Sequence, residues 1–341
     1  MMPHCQANFA DLRRPRAGFF TSCAWQRAVL LTLIAFQPIQ ASAQSKVRQV
    51  GVLSPFVNRD NLFFETLRQQ MTGLGYAEGK NVVYVHRQAE SFDGLTKHAN
   101  EMVKLKVDLI VTEGPQAVRA ARNATNTIPI VMGNIGDAVD QGFVATLAKP
   151  GGNITGLSSL NADLSGKRLE LLKDMLPTLA RVAVMREAAG DANPLRTIES
   201  AAPPLGLKLL VFQVREGDEI PSAFAAISAS HAGALQILPA SMFVSRMANL
   251  AELAQSARLP GIFPDARFVR SGGLMSYGPN VVDLYKRAAV FVDKIFKGSK
   301  PADLPVEQPS SFELVVNLKS AKALGVKVAP SVLMRANQVI Q

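Results

Sequence analysis

The sequence predicts an α/β protein made of two lobes, each a parallel β-sheet covered by helices. From residue 46 onward, short apolar runs alternate with amphipathic stretches, which is the pattern of strands followed by helices. The segment 149–153 breaks this alternation, and the stretches on either side are each about 100 residues long, the usual size of one folding unit. A proline-rich stretch at 301–309 then predicts an extended link that returns between the lobes.

The first lobe begins with an apolar run that Pro55 ends, followed by a helix with Gly73 and Gly75 as candidate C-caps. The alternation continues to residue 147, and Asp137 and Asp140 lie in the first turn of the last predicted helix, where the macrodipole favours acidic residues. The predicted strands are 47–54, 81–88, 107–112 and 128–132, and the predicted helices are 61–74, 93–105, 115–124 and 137–147.

The second lobe repeats this construction after a first crossing near residue 157. A short predicted strand at 154–158 lies at this crossing. The second lobe then has predicted strands at 181–186, 208–214, 234–238 and 261–263 and predicted helices at 164–176, 193–202, 220–230 and 242–257. The tail adds predicted strands at 273–277 and 312–317 and predicted helices at 281–297 and 320–325. We expect the N-terminal lobe to comprise residues 46–157 and 273–305, and the C-terminal lobe 158–272 and 306–341.

The chain starts with a predicted signal peptide at residues 1–43. A basic stretch precedes the apolar run 28–36, and the small-x-small sequence at 41–43 follows it as the expected cleavage site. The apolar run reaches only about 14 Å as a helix, against a hydrocarbon core of roughly 30 Å, so a membrane anchor is the weaker alternative. We therefore expect the mature protein in the periplasm.

Removal of this leader changes the chemistry that the mature chain can offer. Cys5, Cys23 and Trp25 all lie within it, so disulfides, thiolate nucleophiles and cysteine metal sites are excluded. The full chain holds 37 basic and 27 acidic residues, and the leader takes four arginines and one aspartate, which leaves 33 and 26. The basic residues do not cluster with aromatic ones, and the sequence predicts no nucleic-acid partner.

Motifs for catalysis are not found in the mature sequence. Its three histidines, His86, His98 and His231, form no i,i+4 pair and no HExxH motif, and no serine lies in a GxSxG elbow. The glycines at 149–156 lack the Lys-Ser/Thr of a phosphate-binding loop, and no dinucleotide fingerprint is complete. The sequence thus predicts no cofactor, no metal and no enzymatic activity.

Six segments together resemble the ABC transporter substrate-binding proteins related to tryptophan- and tyrosine-binding receptors. The resemblance runs from about residue 47 to 340. The segments are GKNV at 79–82, TIPIV at 127–131, KPGGNITG at 149–156, SGKRLELLK at 165–173, GGLMSYGP at 272–279 and PVEQP at 305–309. The resemblance implies a type I periplasmic binding fold, in which two Rossmann-like lobes joined by three crossing segments hold a ligand in the cleft between them.

Candidate ligand contacts follow from the predicted strands, because ligands in open α/β sheets lie beyond the carboxyl ends of the strands. In the first lobe these are Ser54, Pro55, Phe56, Thr112, Glu113, Gly114, Gly133, Asn134 and Asp137. In the second lobe they are Arg186, Glu187, Pro239, Ala240, Ser241, Pro264 and Asp265, with Tyr277 from the returning segment. Glu113 and Asp137 are the best candidates for a ligand amine, and Arg186 for a carboxylate.

One loop departs from the family pattern. Where relatives commonly carry Asn-Pro directly after the strand that ends at Arg186, this chain inserts residues 187–191 before Asn193 and Pro194. We expect this loop to face the cleft, so that the ligand differs from an aromatic amino acid. The chain also lacks a lipobox, and the resemblance therefore implies a monomeric periplasmic receptor that delivers a small polar molecule, an amino acid or organic acid, to a membrane permease.

Two other functions are compatible with the sequence. A ligand-sensing module for a membrane sensor or chemoreceptor shares the same fold and cleft. An exported α/β hydrolase requires an unrecognised pair of carboxylates.

Overall fold

The computed structural model describes residues 46–55, 61–89 and 91–341 of the chain. The predicted signal peptide and the predicted contact Phe56 lie outside these ranges. Within them, no helix combines the length and the apolar character that crossing a bilayer requires.

The first lobe is a five-stranded parallel sheet in the order β2-β1-β3-β4-β5. Its elements, in chain order, are β1 (Arg48–Pro55), α1 (Leu62–Gly73), β2 (Val82–Ala89), α2 (Phe92–Lys104), β3 (Leu109–Glu113), α3 (Gly114–Ala124), β4 (Ile130–Ile135) and β5 (Ile154–Ser158). The apolar runs of its strands are buried on both faces, as expected of a parallel sheet between helices.

The second lobe is a seven-stranded sheet in the order β12-β11-β10-β9-β8-β6-β7, parallel except where β10 meets β11. It begins with α4 (Asn161–Met175), β6 (Arg181–Glu187), α5 (Asn193–Ala201), β7 (Lys208–Val214), α6 (Ile220–Ala229), β8 (Ala234–Ile237), α7 (Ser241–Val244), α8 (Met247–Ser256), β9 (Gly261–Phe263), α9 (Ala266–Arg270) and β10 (Met275–Pro279). The remaining elements are α10 (Val281–Phe296), β11 (Phe312–Asn317), α11 (Leu318–Ala323), α12 (Pro330–Arg335) and β12 (Gln338–Ile340).

Helices cover both faces of each sheet. In the first lobe, α2 and α3 pack on one face, while Leu67 of α1 and Phe291 of α10 join the core on the other. In the second lobe, Leu172 of α4 belongs to one core and Phe224 of α6 to the opposite one. The predicted α/β class with two sheets is confirmed.

The tail is divided between the lobes differently from the prediction. The strand β10 pairs with β9 and β11, so it belongs to the second sheet and not to the N-terminal lobe. The helix α10 does pack on α1 in the first lobe, as predicted. The return link stays with the first lobe beyond residue 305, because Glu307 forms a bridge with Leu157 and Val306 is buried in the first core.

The predicted helix at 137–147 is wrong. Asp137 Oδ1 accepts hydrogen bonds from the backbone N–H groups of Val139 and Asp140, which closes a turn instead of capping a helix. Gly142 follows with φ of 69°, outside the helical region. The predicted helix at 242–257 is interrupted between α7 and α8, and the sequence analysis missed the short elements α9, α12 and β12.

Three segments cross between the lobes: one after β5, one after β10 and one before β11. They come together along one groove, to which Leu157, Asn280 and the segment 307–311 contribute. We call these three segments the hinge.

Candidate functional site

A cavity of about 130 Å³ lies between the lobes, at the carboxyl ends of both sets of parallel strands. Its size resembles that of cavities that admit a single aromatic ring. Eleven of the predicted contacts line it: Ser54, Pro55, Glu113, Gly114, Asn134, Glu187, Pro239, Ala240, Ser241, Pro264 and Asp265. Both lobes therefore supply its walls.

Five predicted contacts do not line the cavity. Thr112 is buried in the sheet, where its hydroxyl donates to the carbonyl of Val131, and Gly133 lies against the ring of Phe63. Asp137 closes the turn described above.

The other two belong to the second lobe. The Arg186 guanidinium donates to the backbone carbonyls of Glu187 and Gly190, at 3.2 and 3.1 Å, so it is not free to take up the predicted carboxylate. Tyr277 packs against the second-lobe core beside Phe312.

Several lining residues were missed by the sequence analysis. They are the start of α1 (Asn61, Leu62, Phe63 and Phe64), Gln88, Gln141, Arg267 and others on the same edges. The start of α1 lies just beyond the carboxyl end of β1, so the predicted order of strand and helix was enough to place it at the ligand-binding edge. Arg267 lies in α9, which was not predicted, and the loop 187–191 does face the cavity as expected.

Aromatic side chains form an apolar wall on the first lobe. Phe63 meets Tyr285 edge-to-face at 4.9 Å, and Phe64 stacks on His86 at 4.4 Å between ring centroids. Burial lowers the pKa of His86, which favours the neutral form of this ring.

A polar cluster joins the two lobes at one end of the cavity, and we call it the closure cluster: Glu113, Asp265, Arg267 and Tyr285. Arg267 is held by Asp265 through two side-chain hydrogen bonds of 3.1 and 3.0 Å. Its Nη1 atom also donates to the Tyr285 hydroxyl at 3.3 Å and lies 3.9 Å from Glu113 Oε1, while Tyr285 donates to Glu113. Glu113 and Tyr285 belong to the first lobe, so these contacts cross the cleft.

Burial and charge act in opposite directions on this cluster. Burial raises the pKa of Glu113, although Arg267 and Tyr285 lower it. Burial also raises the pKa of Tyr285. Its hydroxyl therefore stays protonated and donates a hydrogen bond to Glu113. Burial lowers the pKa of Arg267, but Asp265 outweighs this and holds it above its usual range, so the guanidinium stays charged.

Other contacts also cross the cleft. Gln116 Nε2 donates to Glu187 Oε1 at 3.1 Å, and Asn193 donates to Asp140. Gly114 has φ of 74°, and a Cβ atom there would lie 2.5 Å from Ser241 Oγ of the other lobe. These contacts join the two lobes across the cleft.

Arg168 of α4 supports the second-lobe side of the cleft from behind. It is fully buried and donates to the carbonyl of Tyr277 at 2.6 Å and to that of Pro264 at 3.2 Å. Burial lowers its pKa to about 9. These bonds fix the chain at Pro264, directly before Asp265 and Arg267.

Within the described part of the chain, no group of three or more His, Cys, Asp or Glu residues is placed to hold a metal ion. The cavity instead combines one apolar wall with hydrogen-bonding and charged groups, the composition of a small-molecule binding site.

Comparison with known proteins gives a consistent result. A family model described as "ABC transporter substrate binding protein" matches residues 52–340. A curated protein of Clostridioides difficile named "Tyrosine-binding protein" is 27% identical over 254 residues, which cover 73% of this chain and 72% of that protein.

Solved structures share the fold. One, from Streptococcus pneumoniae and described as an ABC domain in complex with L-Trp, has a TM-score of 0.79 at 26% identity, over 86% of this chain and 99% of that one. Another, a conserved domain protein of Vibrio cholerae, has a TM-score of 0.81 at 26% identity, over 86% of this chain and all of that one. The two lobes thus have the type I periplasmic-binding-protein architecture.

Proposed function

This chain belongs to the ABC transporter substrate-binding proteins, and we propose that it is the receptor of an importer, which captures an amino acid or a small organic acid by hinge closure. The family is one of solute-binding proteins and not of enzymes. The observation that carries the proposal is the cavity between the lobes, because both lobes line it and touch each other around it.

Closure supplies the mechanism. A ligand in the cavity contacts both lobes only when they are closed, so its binding free energy shifts the open–closed equilibrium towards the closed form. The closure cluster contributes to the same equilibrium, since Arg267 reaches Glu113 and Tyr285 only when the lobes meet. The three crossing segments of the hinge lie along one groove. This arrangement allows the lobes to rotate about a single axis.

An amino acid is the favoured ligand class. Two of the relatives support this class, since one is named a tyrosine-binding protein and another is solved in complex with L-Trp. This cavity also has an apolar wall, formed by Phe63 and Phe64. Polar groups of both lobes, among them Asn134 and Ser241, lie around that wall and can orient the charged ends of such a molecule. Export through the predicted signal peptide places the receptor in the periplasm, beside the permease of its importer.

Thermal unfolding with a panel of amino acids and small organic acids tests the proposal. A ligand present at one hundred times its dissociation constant adds roughly 2.7 kcal/mol to the free energy of unfolding. We expect at least one compound to shift the transition, and mass spectrometry of the denatured complex to recover it intact. A broad panel without any shift contradicts the receptor function, and turnover of the bound compound supports the hydrolase instead.

A pair of tryptophan substitutions provides the control. Ser241→Trp fills the cavity and collides with Gly114 across the cleft, so it abolishes the shift. Ser200→Trp, on the exposed face of α5, leaves the shift unchanged. Equal shifts in both variants would mean that the compound binds elsewhere.

A further inference from the structure

We infer that the ligand carries a net positive charge, and that its cationic group lies between Asn134 of the first lobe and the loop of Glu187 and Asp191 in the second. This inference rests on the proposed function and specifies its ligand class. The relevant end of the cavity is formed by the loop that departs from the family pattern, which we call the loop end.

The charges lining the cavity are unbalanced. Among the described residues it has four carboxylate side chains and one basic side chain, that of Arg267. Arg267 is committed to the closure cluster by its two hydrogen bonds to Asp265. The arginine that the sequence assigned to a ligand carboxylate, Arg186, does not line the cavity and donates to the backbone carbonyls of Glu187 and Gly190. An anionic ligand therefore finds no uncommitted cation among the described lining residues.

The carboxylates of the loop end form no ion pair in the described structure, although the charge of the neighbouring Arg186 lowers the pKa of Glu187. Within the described part of the chain, neither Glu187 nor Asp191 has a basic side chain within 4 Å, in contrast to Asp265. Asp191 Oδ2 reaches across the cleft, since it lies 3.5 Å from where a Cβ atom of Gly136 would stand. The two carboxylates are thus presented to the cavity at the surface where the lobes meet.

Two buried hydrogen-bond acceptors of the first lobe have no partner in the described structure. Asn134 lines the cavity, and its Oδ1 atom is buried without a hydrogen-bond partner in the described structure. Gln116 Oε1 is also buried and unpartnered, and the bond from its Nε2 to Glu187 fixes the orientation of the amide. Buried acceptors cost free energy until a donor reaches them, and an ammonium or guanidinium group supplies donors and positive charge together.

Two matched series of compounds test the inference on the mature protein by calorimetry. One is L-lysine, L-norleucine and L-2-aminoadipate, which share a six-carbon chain but differ in net charge. The other is tyramine, L-tyrosine and 3-(4-hydroxyphenyl)propionate, which share an aromatic body. We expect the cation to bind tightest in at least one series, by about tenfold, as close charge pairs at interfaces do.

Conservative variants locate the effect. Glu187→Gln and Asp191→Asn should each reduce the advantage of the cation by about threefold, and the double variant should abolish it. Glu199→Gln, an exposed carboxylate of α5 in the same lobe, should leave it unchanged, and circular dichroism confirms that each variant is folded.

The other outcomes overturn the inference. If the zwitterion or the anion binds tightest in both series, a cationic ligand is contradicted, and a cation preference that survives the double variant contradicts it as well. Binding by none of the six compounds also overturns it, while the proposed function is then decided by the wider panel.

Discussion

The two ends of the cavity use the same residue types to opposite effect. At the closure cluster, the carboxylates of Asp265 and Glu113 face the guanidinium of Arg267, so the charge is compensated within the protein. At the loop end, Glu187 and Asp191 have no such partner in the described structure. The difference teaches that the ion-paired charges are satisfied within the protein, whereas the carboxylates without an ion pair are the ones that we infer to meet the ligand.

Removing the cation from the closure cluster should have the largest effect. Arg267→Met leaves two buried carboxylates without a counter-charge, and breaking a buried pair in this way costs about 3–5 kcal/mol. We expect this cost as the combined loss of unfolding free energy, measured in urea, and of ligand affinity, measured by calorimetry. Arg270→Met, an exposed arginine of the same helix, should change either by less than about 0.5 kcal/mol. Equal losses of unfolding free energy and ligand affinity in the two variants would show that Arg267 does not stabilise the closure cluster.

A methyl group at the contact between the lobes should have the next largest effect. Gly114→Ala strains a backbone with positive φ by about 1–2 kcal/mol and places Cβ against Ser241 in the closed form. The contact with Ser241 reduces the population of the closed form. The apparent affinity for the ligand falls by the same factor as that population, here about tenfold.

Gly206→Ala is its matched control, because Gly206 has φ of 64° with open space around the Cβ position. It should lose similar stability but keep its affinity. If the two variants bind ligand equally well, Gly114 is not a point of closure.

The pH should change the loop end in a defined direction. Burial raises the pKa of Glu187, and Gln116 only partly opposes this. As the pH falls from 8 to 5, protonation removes negative charge, so the affinity for a cation such as L-lysine should fall by about threefold, while that for norleucine should hold. An affinity for the cation that rises at pH 5 would contradict the assignment of Glu187.

The smallest expected effect has the opposite sign. A carboxyl group whose pKa is raised in the folded state destabilises that state above its unfolded pKa, and this cost disappears as the pH falls through the folded pKa. Glu187→Gln should therefore stabilise the ligand-free protein at neutral pH, by less than about 1 kcal/mol because Glu187 is partly solvated. Urea unfolding at pH 7 measures this, and a clear loss of stability would show that the closure cluster and the loop end are alike.

Sequence periodicity predicted the strands well but not which residue at each strand end faces the cleft. In two neighbouring pairs the second residue lines the cavity and the first does not: Thr112 and Glu113, and Arg186 and Glu187. Side chains alternate between the two faces of a strand, so an error of one residue exchanges the two sides. Because these strands carry buried apolar residues on both faces, the sequence pattern does not show which face a given position belongs to.

Lobe membership in the tail had a similar limit. The run at β10 is apolar enough to pair in either sheet, and only its antiparallel contact with β11 places it in the second. Arg267 was missed because α9 has five residues, too few to show helical periodicity.

The hinge separates two properties that could otherwise constrain each other. Because the crossing segments run together along one groove, where only Pro279 and Val281 beside Asn280 also line the described cavity, we expect closure to yield the same outer shape whichever compound induces it. A permease that recognises this shape needs no information about the cargo. Sequence changes in the cavity, such as the loop at 187–191, can therefore change the ligand specificity of such a receptor without changing the surface that docks on the permease.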